Sequence, residues 1–258
     1  MTYFERTGPA AFLPTDHVRG AWREDEQHVA PALGLLTHLV EADHAARRTP
    51  EDRLAVSRLS FDLLGTMPVE EVTTEVSVLR PGRTVELVEA TMSHAGRPAV
   101  VLRAWLIVRG DTGARRGSPV EPLTSPDDLP TWRPDDVWPG GFITSVDVRR
   151  HEVEPGRATF WVRPSVPLLA EPVGPVARWA GVLDIANGMT VREDPRTVAF
   201  PNVDLTAHLV RDPVGDWVGF DTSVTFGPDG RGLTSSVLHD TDGIVGGLAQ
   251  SLTVRPSA

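Results

Sequence analysis

The sequence of 258 residues contains no cysteine and no lysine, although it contains 25 arginines. Without cysteine, the chain can form no disulfide bond, no thiolate nucleophile and no zinc-thiolate site. Without lysine, it can form neither a Schiff base nor the lysine contact of a phosphate-binding loop. Any catalysis must therefore use carboxylate, hydroxyl, imidazole or carboxamide groups.

The charge balance of the chain is acidic. Its 35 Asp and Glu residues outnumber the arginines and give a formal net charge of -10. Nonspecific nucleic-acid binding needs an electropositive surface, so this composition argues against a nucleic-acid partner. The hydrophobic content of 40% is typical of a globular protein that buries a large core.

The hydropathy pattern indicates neither a membrane span nor a signal peptide. No segment reaches the roughly 18 consecutive apolar residues that a membrane-spanning helix requires. Residues 1–20 lack the cationic stretch followed by an apolar run that is typical of a signal peptide. We therefore expect no membrane span and a cytoplasmic location.

Common signatures of hydrolases, dinucleotide-binding enzymes and metalloproteases are missing. The sequence has no G-x-S-x-G, no G-x-G-x-x-G and no H-E-x-x-H motif. His38, Glu41 and His44 follow one another at intervals of three, which separates the two histidines around a helix axis. We interpret these three residues as a solvated polar helix face, and we predict neither a metal site nor a cofactor.

Hydrophobic periodicity predicts the same order of elements twice along the chain. Apolar residues at helical spacing predict one helix over 29–46 and another over 176–189. Strands bounded by Gly- and Pro-rich turns follow each helix, and two more precede the second. The predicted strands are 54–64, 69–79, 84–93 and 99–108 in the first half, and 143–153, 157–162, 198–210, 216–226, 232–239 and 244–254 in the second.

The repeated order indicates a duplicated domain. Pro68 corresponds to Pro213 and Gly82 to Gly227, an offset of 145 residues. A helix and an antiparallel sheet bury both of their apolar faces when the sheet wraps around the helix, as in a hotdog fold. We predict an α+β double hotdog: two antiparallel sheets, each wrapped around a long central helix, that can join edge to edge. Its predicted parts are an N-terminal hotdog over 1–110, a linker over 111–141, and a C-terminal hotdog over 142–258 that carries the active site.

One predicted strand of the second half carries a row of polar side chains. Period-two alternation places Asp204, Thr206 and His208 on one face of this strand and apolar residues on the other. A polar row on an antiparallel strand is most often its solvent-facing side. The corresponding position in the first half is Leu59, so the two halves differ in this carboxylate. This asymmetry favours a catalytic role for Asp204.

The second half also contains five short motifs, in the segments Asn202–Thr206, Arg211–Trp217, Gly230–Gly232, Ser235–Asp240 and Gly246–Leu252. Together they resemble the C-terminal half of TesB-like acyl-CoA thioesterases, the thioesterase II family of double hotdog proteins. The order of elements extends this resemblance to nearly the whole chain. The resemblance implies hydrolysis of acyl-CoA thioesters by a water molecule held among an aspartate, a hydroxyl residue and a glutamine.

The resemblance implies roles for particular residues. Asp204 corresponds to the family aspartate and Gln250 to the family glutamine. Thr225 corresponds to the hydroxyl residue, and Thr222 or Ser223 replaces it if the loop is shifted. An ionised aspartate can accept the proton of the water while the hydroxyl and carboxamide groups orient it.

The substrate implied by the resemblance is an acyl-CoA or an acyl-carrier thioester. Candidate substrate-binding residues are Thr206, His208, Trp179 and Arg211, and arginine is the only cation available for CoA phosphates. Because double hotdog proteins tend to pair again, we expect a homodimer or a higher homo-oligomer. Two alternatives are a hotdog enoyl-CoA hydratase or dehydratase that uses Asp204 and His208, and a non-catalytic acyl-thioester-binding protein.

Overall fold

The computed structural model describes residues 1–256. None of the helices in this range is long and apolar enough to cross a membrane. The helices are α1 Val29–Ala46, α2 Gly141–Thr144, α3 Pro175–Ala180 and α4 Ala186–Met189. The strands are β1 Phe4–Arg6, β2 Ala11–Pro14, β3 Ala55–Leu63, β4 Val72–Arg80, β5 Val85–His94, β6 Arg97–Ile107, β7 Thr131–Trp132, β8 Val146–Glu154, β9 Arg157–Pro164, β10 Val198–Ala199, β11 Asp204–Leu209, β12 Val218–Phe226, β13 Arg231–Asp240, β14 Gly243–Thr253 and β15 Arg255–Pro256.

One antiparallel sheet of 13 strands runs through both halves of the chain, in the order β1-β2-β4-β5-β6-β3-β11-β14-β13-β12-β9-β8-β7. The pairing of β3 with β11 joins the halves, and we call this pair the seam. At the seam, Ser60 lies opposite Thr206, and their hydroxyl oxygens are 3.0 Å apart. The order of strands is nearly symmetric about the seam, as expected for a duplicated unit.

The two predicted sheets are thus joined edge to edge in one large sheet, while β10 pairs with β15 in a separate two-stranded sheet. Without the seam, β3 and β11 would each expose a row of unpaired backbone groups, and their pairing removes both edges. Periodicity does not predict β1, β2 and β7, because strands of three, four and two residues are too short to show an alternation.

Helix α1 confirms the helix predicted over 29–46 and packs against β5, β6 and α3. The interpretation of its polar residues as a solvated face is wrong. His38 is 9% exposed and His44 only 3% exposed. His38 contacts the carboxylate of Glu171 at 3.0 Å, so it links α1 to the loop that precedes α3. No three His, Asp or Glu side chains among residues 1–256 are grouped as metal ligands would be.

A buried carboxylate fixes the C-terminal end of α1. Glu86 on β5 is fully buried, and its oxygens accept hydrogen bonds from His44 at 2.9 Å, Arg47 at 2.8 Å and Arg48 at 2.9 Å. The other ring nitrogen of His44 accepts a hydrogen bond from the backbone N–H of Leu54. Burial opposes ionisation of Glu86, but these hydrogen bonds outweigh it and lower its pKa to about 2.

The second predicted helix is wrong as one continuous element. Residues 176–189 form α3, a 3₁₀ turn at Leu183–Ile185, and α4. The break follows Gly181, where α1 crosses closely: a Cβ atom on Gly34 would lie 2.8 Å from the Cα of Gly181. Within residues 1–256, only the first half therefore contains a long central helix. The break places the acidic residue Asp184 in the 3₁₀ turn.

Candidate active site

A cavity of about 390 Å³ lies between the two halves of the chain. The first half contributes residues within 20–29 and 63–67, and the second half contributes residues within 138–143, 184–189 and 199–202. Most of the lining side chains are apolar, which suits an acyl chain. The cavity therefore depends on the seam and on the packing of α1 against the second half.

Asp184 is the most buried carboxylate that lines this cavity, at 6% exposure. Its Oδ1 accepts hydrogen bonds from the amide of Asn202 at 2.6 Å and the amide of Gln250 at 3.2 Å. Its Oδ2 has no hydrogen-bond donor among residues 1–256. Burial raises the pKa of Asp184 to about 7, although the two amide hydrogen bonds oppose the increase. A carboxylate with this pKa is suited to accept a proton near neutral pH.

Three different elements bring these side chains together. Asp184 lies in the 3₁₀ turn between α3 and α4, and α1 packs against this turn. Asn202 lies two residues before the start of β11 and bridges to β14 opposite Leu252. Gln250 is a fully buried residue of β14, because alternation along that strand turns its side chain inward.

His28 lies beside Asp184 and comes from the first half of the chain. Its Nδ1 accepts a hydrogen bond from the backbone N–H of Ala30 at 3.1 Å and so caps the N-terminus of α1. The ring packs against Phe142, with 4.3 Å between ring centroids. Burial lowers the pKa of His28 to about 3. Although its Nδ1 lies 3.9 Å from Oδ2 of Asp184, the ring is neutral and the contact is not an ion pair.

Aromatic side chains form one wall of the cavity. Trp22 and Trp138 contact edge to face with 4.8 Å between ring centroids, and both also contact Phe200. The indole N–H of Trp138 donates to the carbonyl of Gly188 at 2.8 Å, which fixes this ring against α4. Trp22 is 42% exposed, so this wall extends to the protein surface.

Of the three predicted catalytic residues, only Gln250 lies in this arrangement. Asp204 is on the opposite face of the sheet, where its carboxylate accepts hydrogen bonds from the backbone and hydroxyl of Ser251. Thr225 is exposed on the outer face of β12, and the alternative Ser223 is exposed as well. The other alternative, Thr222, is buried and bonds to Ser236 at 2.7 Å. The structure therefore does not bring Asp204 and Thr225 together with Gln250.

The predicted substrate-binding residues also lie outside this cavity. Thr206 faces outward beside Ser60, and His208 is exposed on the same face. Trp179 is buried and lines a second cavity of about 360 Å³. Arg211 is paired with the buried carboxylate of Asp240. Its guanidinium also donates to the backbone carbonyls of residues 244, 212 and 243, so it fixes the turn after β11.

Sequence reasoning missed Asp184, Asn202 and His28. Asp184 interrupts an apolar helix face, and a single charge within such a face is a signal that could have identified it. Asn202 lies in the first of the five motifs, two residues before Asp204. His28 directly precedes the helical pattern, where a capping side chain is expected.

Comparison with known protein families decides the identity at family level. The C-terminal domain model of acyl-CoA thioesterases matches residues 126–254, and the N-terminal domain model matches residues 18–107. The chain belongs to the acyl-CoA thioesterase family. No curated protein matches it significantly in sequence.

Solved structures with a similar fold are distant in sequence. A protein with a hot dog fold from Alicyclobacillus acidocaldarius is 16% identical, with a TM-score of 0.74 over 98% of this chain and 96% of the other. The acyl-CoA thioesterase II TesB2 from Mycobacterium marinum is 17% identical, with a TM-score of 0.68 over 99% and 96%. The dehydratase domain of PpsC from Mycobacterium tuberculosis is 13% identical, with a TM-score of 0.53 over 92% and 87%. These similarities show the hotdog fold of this thioesterase family member.

Proposed function

We propose that this acyl-CoA thioesterase family member hydrolyses acyl-CoA thioesters in the cavity between its halves, with Asp184 as the general base. The observation that carries the proposal is the environment of Asp184. One carboxylate oxygen is held by two amides, the other has no donor within the described part of the chain, and burial raises the pKa of Asp184 to about 7. Asp184 and Asn202 thus take the places that the sequence assigned to Asp204 and Thr225, while Gln250 is retained.

The reaction needs only water and these side chains. A water molecule attacks the thioester carbonyl carbon, its proton passes to Oδ2 of Asp184, and the carbonyl π electrons move onto oxygen. The tetrahedral intermediate then collapses with cleavage of the C–S bond. The thiolate leaving group takes the proton back from Asp184, which gives a carboxylic acid and a free thiol. The positive end of α1, which meets the cavity at Val29, favours the developing oxyanion.

The CoA portion has a candidate cation at the cavity. Arg255 of β15 lines the cavity, is exposed, and makes no ion pair among residues 1–256. Arg23, which also lines the cavity, is already paired with Asp25 at 2.7 Å. We therefore assign Arg255 rather than Arg23 to the phosphate groups of CoA.

A free-thiol assay over straight and branched acyl-CoAs of different lengths tests the proposed function. We expect thiol release that saturates with substrate and increases with pH through about 7, because ionised Asp184 is the active form. Hydration of an enoyl-CoA without thiol release would instead support the hydratase alternative. Tight acyl-CoA binding without either product would support the non-catalytic alternative.

Replacing Gln250 with leucine should move the acid side of the pH–rate profile upward by about one pH unit. The substitution removes one of the two amide donors to Asp184, and the loss of about 1.4 kcal/mol of stabilisation of the carboxylate raises its pKa by that amount. The chain should remain folded, because leucine is close in size to glutamine and the buried Oε1 of Gln250 has no hydrogen-bond partner among the described residues. The measurement is kcat/KM against pH. Thr225→Val is the control, and an equal shift in that variant would contradict the assignment.

A further inference from the structure

We propose that His28 is a further catalytic residue, whose Nε2–H donates a hydrogen bond to the thioester carbonyl oxygen as negative charge develops there. This inference rests on the proposed hydrolysis at Asp184. It places the oxyanion donor in the first half of the chain, whereas Asp184, Asn202 and Gln250 all lie in the second half.

The hydrogen bond at Nδ1 determines which nitrogen of His28 carries the proton. Nδ1 accepts the backbone N–H of Ala30, so its lone pair is occupied and it carries no hydrogen. A neutral ring must then carry its single proton on Nε2. Nε2 has no hydrogen-bond partner among residues 1–256, and the ring forms part of the cavity wall.

The ring is held in place by its surroundings. The backbone N–H of His28 donates to the carbonyl of Val18 at 2.6 Å, and Phe142 packs against the ring face. Burial keeps the imidazole neutral across the working pH range, since it lowers the pKa to about 3. A neutral, preorganised donor of this kind costs no reorganisation when the oxyanion forms.

Neither Asn202 nor Gln250 supplies this donor. Asn202 uses both of its amide protons, one on Asp184 and the other on the backbone carbonyl of Asp204 at 3.1 Å. Gln250 donates to the same oxygen of Asp184. His28 itself cannot act as the base, because neither of its nitrogens has a free lone pair. Asp184 and His28 therefore have separate roles, one toward the water and one toward the carbonyl.

Two substitutions separate the capping function of His28 from the donor function. In His28→Asn the side-chain oxygen can occupy the position of Nδ1, so the cap is kept and the donor at Nε2 is lost. In His28→Gln the amide N–H reaches the position of Nε2, so the donor is kept and the cap is lost. The two variants should therefore show opposite defects in stability and in activity.

The test is steady-state thiol release from an acyl-CoA, with thermal unfolding measured on the same samples. We expect His28→Asn to keep the melting temperature of the parent chain. Its kcat should fall by about 10²- to 10³-fold, while its KM changes by less than about threefold. Its pH–rate profile should keep the acid side of the parent, because Asp184 still sets it. We expect His28→Gln to melt a few degrees lower and yet to turn over at least about tenfold faster than His28→Asn.

Three results would overturn the inference, and they are distinguishable. If the parent releases no thiol, the proposed function and the inference fall together. If the parent is active and His28→Asn keeps the parental kcat, the donor role alone is wrong. If activity follows stability, so that His28→Gln is the slower variant, His28 serves only to cap α1.

Discussion

Replacing Asp184 with asparagine should slow thioester hydrolysis by about 10³-fold or more while leaving the chain folded. General-base catalysis contributes about 10²- to 10⁴-fold, and asparagine has no lone pair basic enough to accept the proton of water. The substitution preserves shape, and the remaining amide oxygen can still accept from Asn202 and Gln250. The measurement is kcat from thiol release under saturating acyl-CoA.

The matched control for this prediction is Asp204→Asn. Asp204 is the first residue of β11, and its carboxylate contacts Ser251 on the opposite face of the sheet from Asp184. We expect its activity to stay within about twofold of the parent, since the side chain does not meet the cavity. Rapid turnover by Asp184→Asn, or a large loss in Asp204→Asn, would return the role of base to Asp204.

The same Asp184→Asn substitution should increase stability, and the gain should grow with pH. Between pH about 4 and about 7 the folded state holds a proton on Asp184 that the unfolded state has lost, because burial raises the folded pKa. The free energy of unfolding therefore falls as pH rises through this range, by at most about 4 kcal/mol in total. Asparagine removes this dependence. Melting temperatures of variant and parent should converge near pH 4 and differ most above pH 7.

Replacing Glu86 with glutamine should destabilise the chain by about 3 to 5 kcal/mol, the usual cost of breaking a buried ion pair. Glu86 is fully buried and accepts hydrogen bonds from His44, Arg47 and Arg48, so the substitution leaves cations without a counter-charge. Urea unfolding followed by tryptophan fluorescence measures the change. The rate per folded molecule should not change, because the cluster lies at the end of α1 away from His28.

The pH dependence of this effect has a definite sign. The folded-state pKa of Glu86 is lowered to about 2, so the carboxylate contributes stability above its unfolded pKa and loses it as pH falls toward 2. Parent and variant should therefore converge in acid. Glu89→Gln on the same strand is the control, because Glu89 pairs with the exposed Arg103 and should cost less than about 1 kcal/mol. An equal loss of stability in both variants would show that the buried Glu86 cluster contributes no more than an exposed ion pair.

How far local pattern determines this fold is clearest in the two helices. The helix over 29–46 follows from apolar spacing and a capping position, and both are local properties. The second helix has the same spacing, yet it breaks after Gly181 because α1 crosses there at Gly34. That crossing is a tertiary contact that no window of sequence contains. The same holds for the seam, whose partners are separated by more than a hundred residues.

Local sequence patterns also predict the candidate site only in part. Alternation correctly groups Asp204, Thr206 and His208 on one face of a strand, and β11 confirms that grouping. Alternation does not determine which face is covered, and this face turned out to be the outer one. The partners of Asp184 could not be recognised from spacing, because Asn202 and Gln250 come from separate elements. Only the fold brings these three side chains together.

The seam also constrains how the chain could be recombined with its relatives. The register of the seam, in which Ser60 lies opposite Thr206, determines how the first half presents His28 to Asp184 in the second. A slip of one residue along β3 would reverse every inward and outward side chain on that strand. A chimaera that joins halves from two relatives would therefore need matching seam strands as well as matching active-site residues. One half is therefore exchangeable only together with a matching partner strand at the seam, although the two halves have nearly the same order of strands.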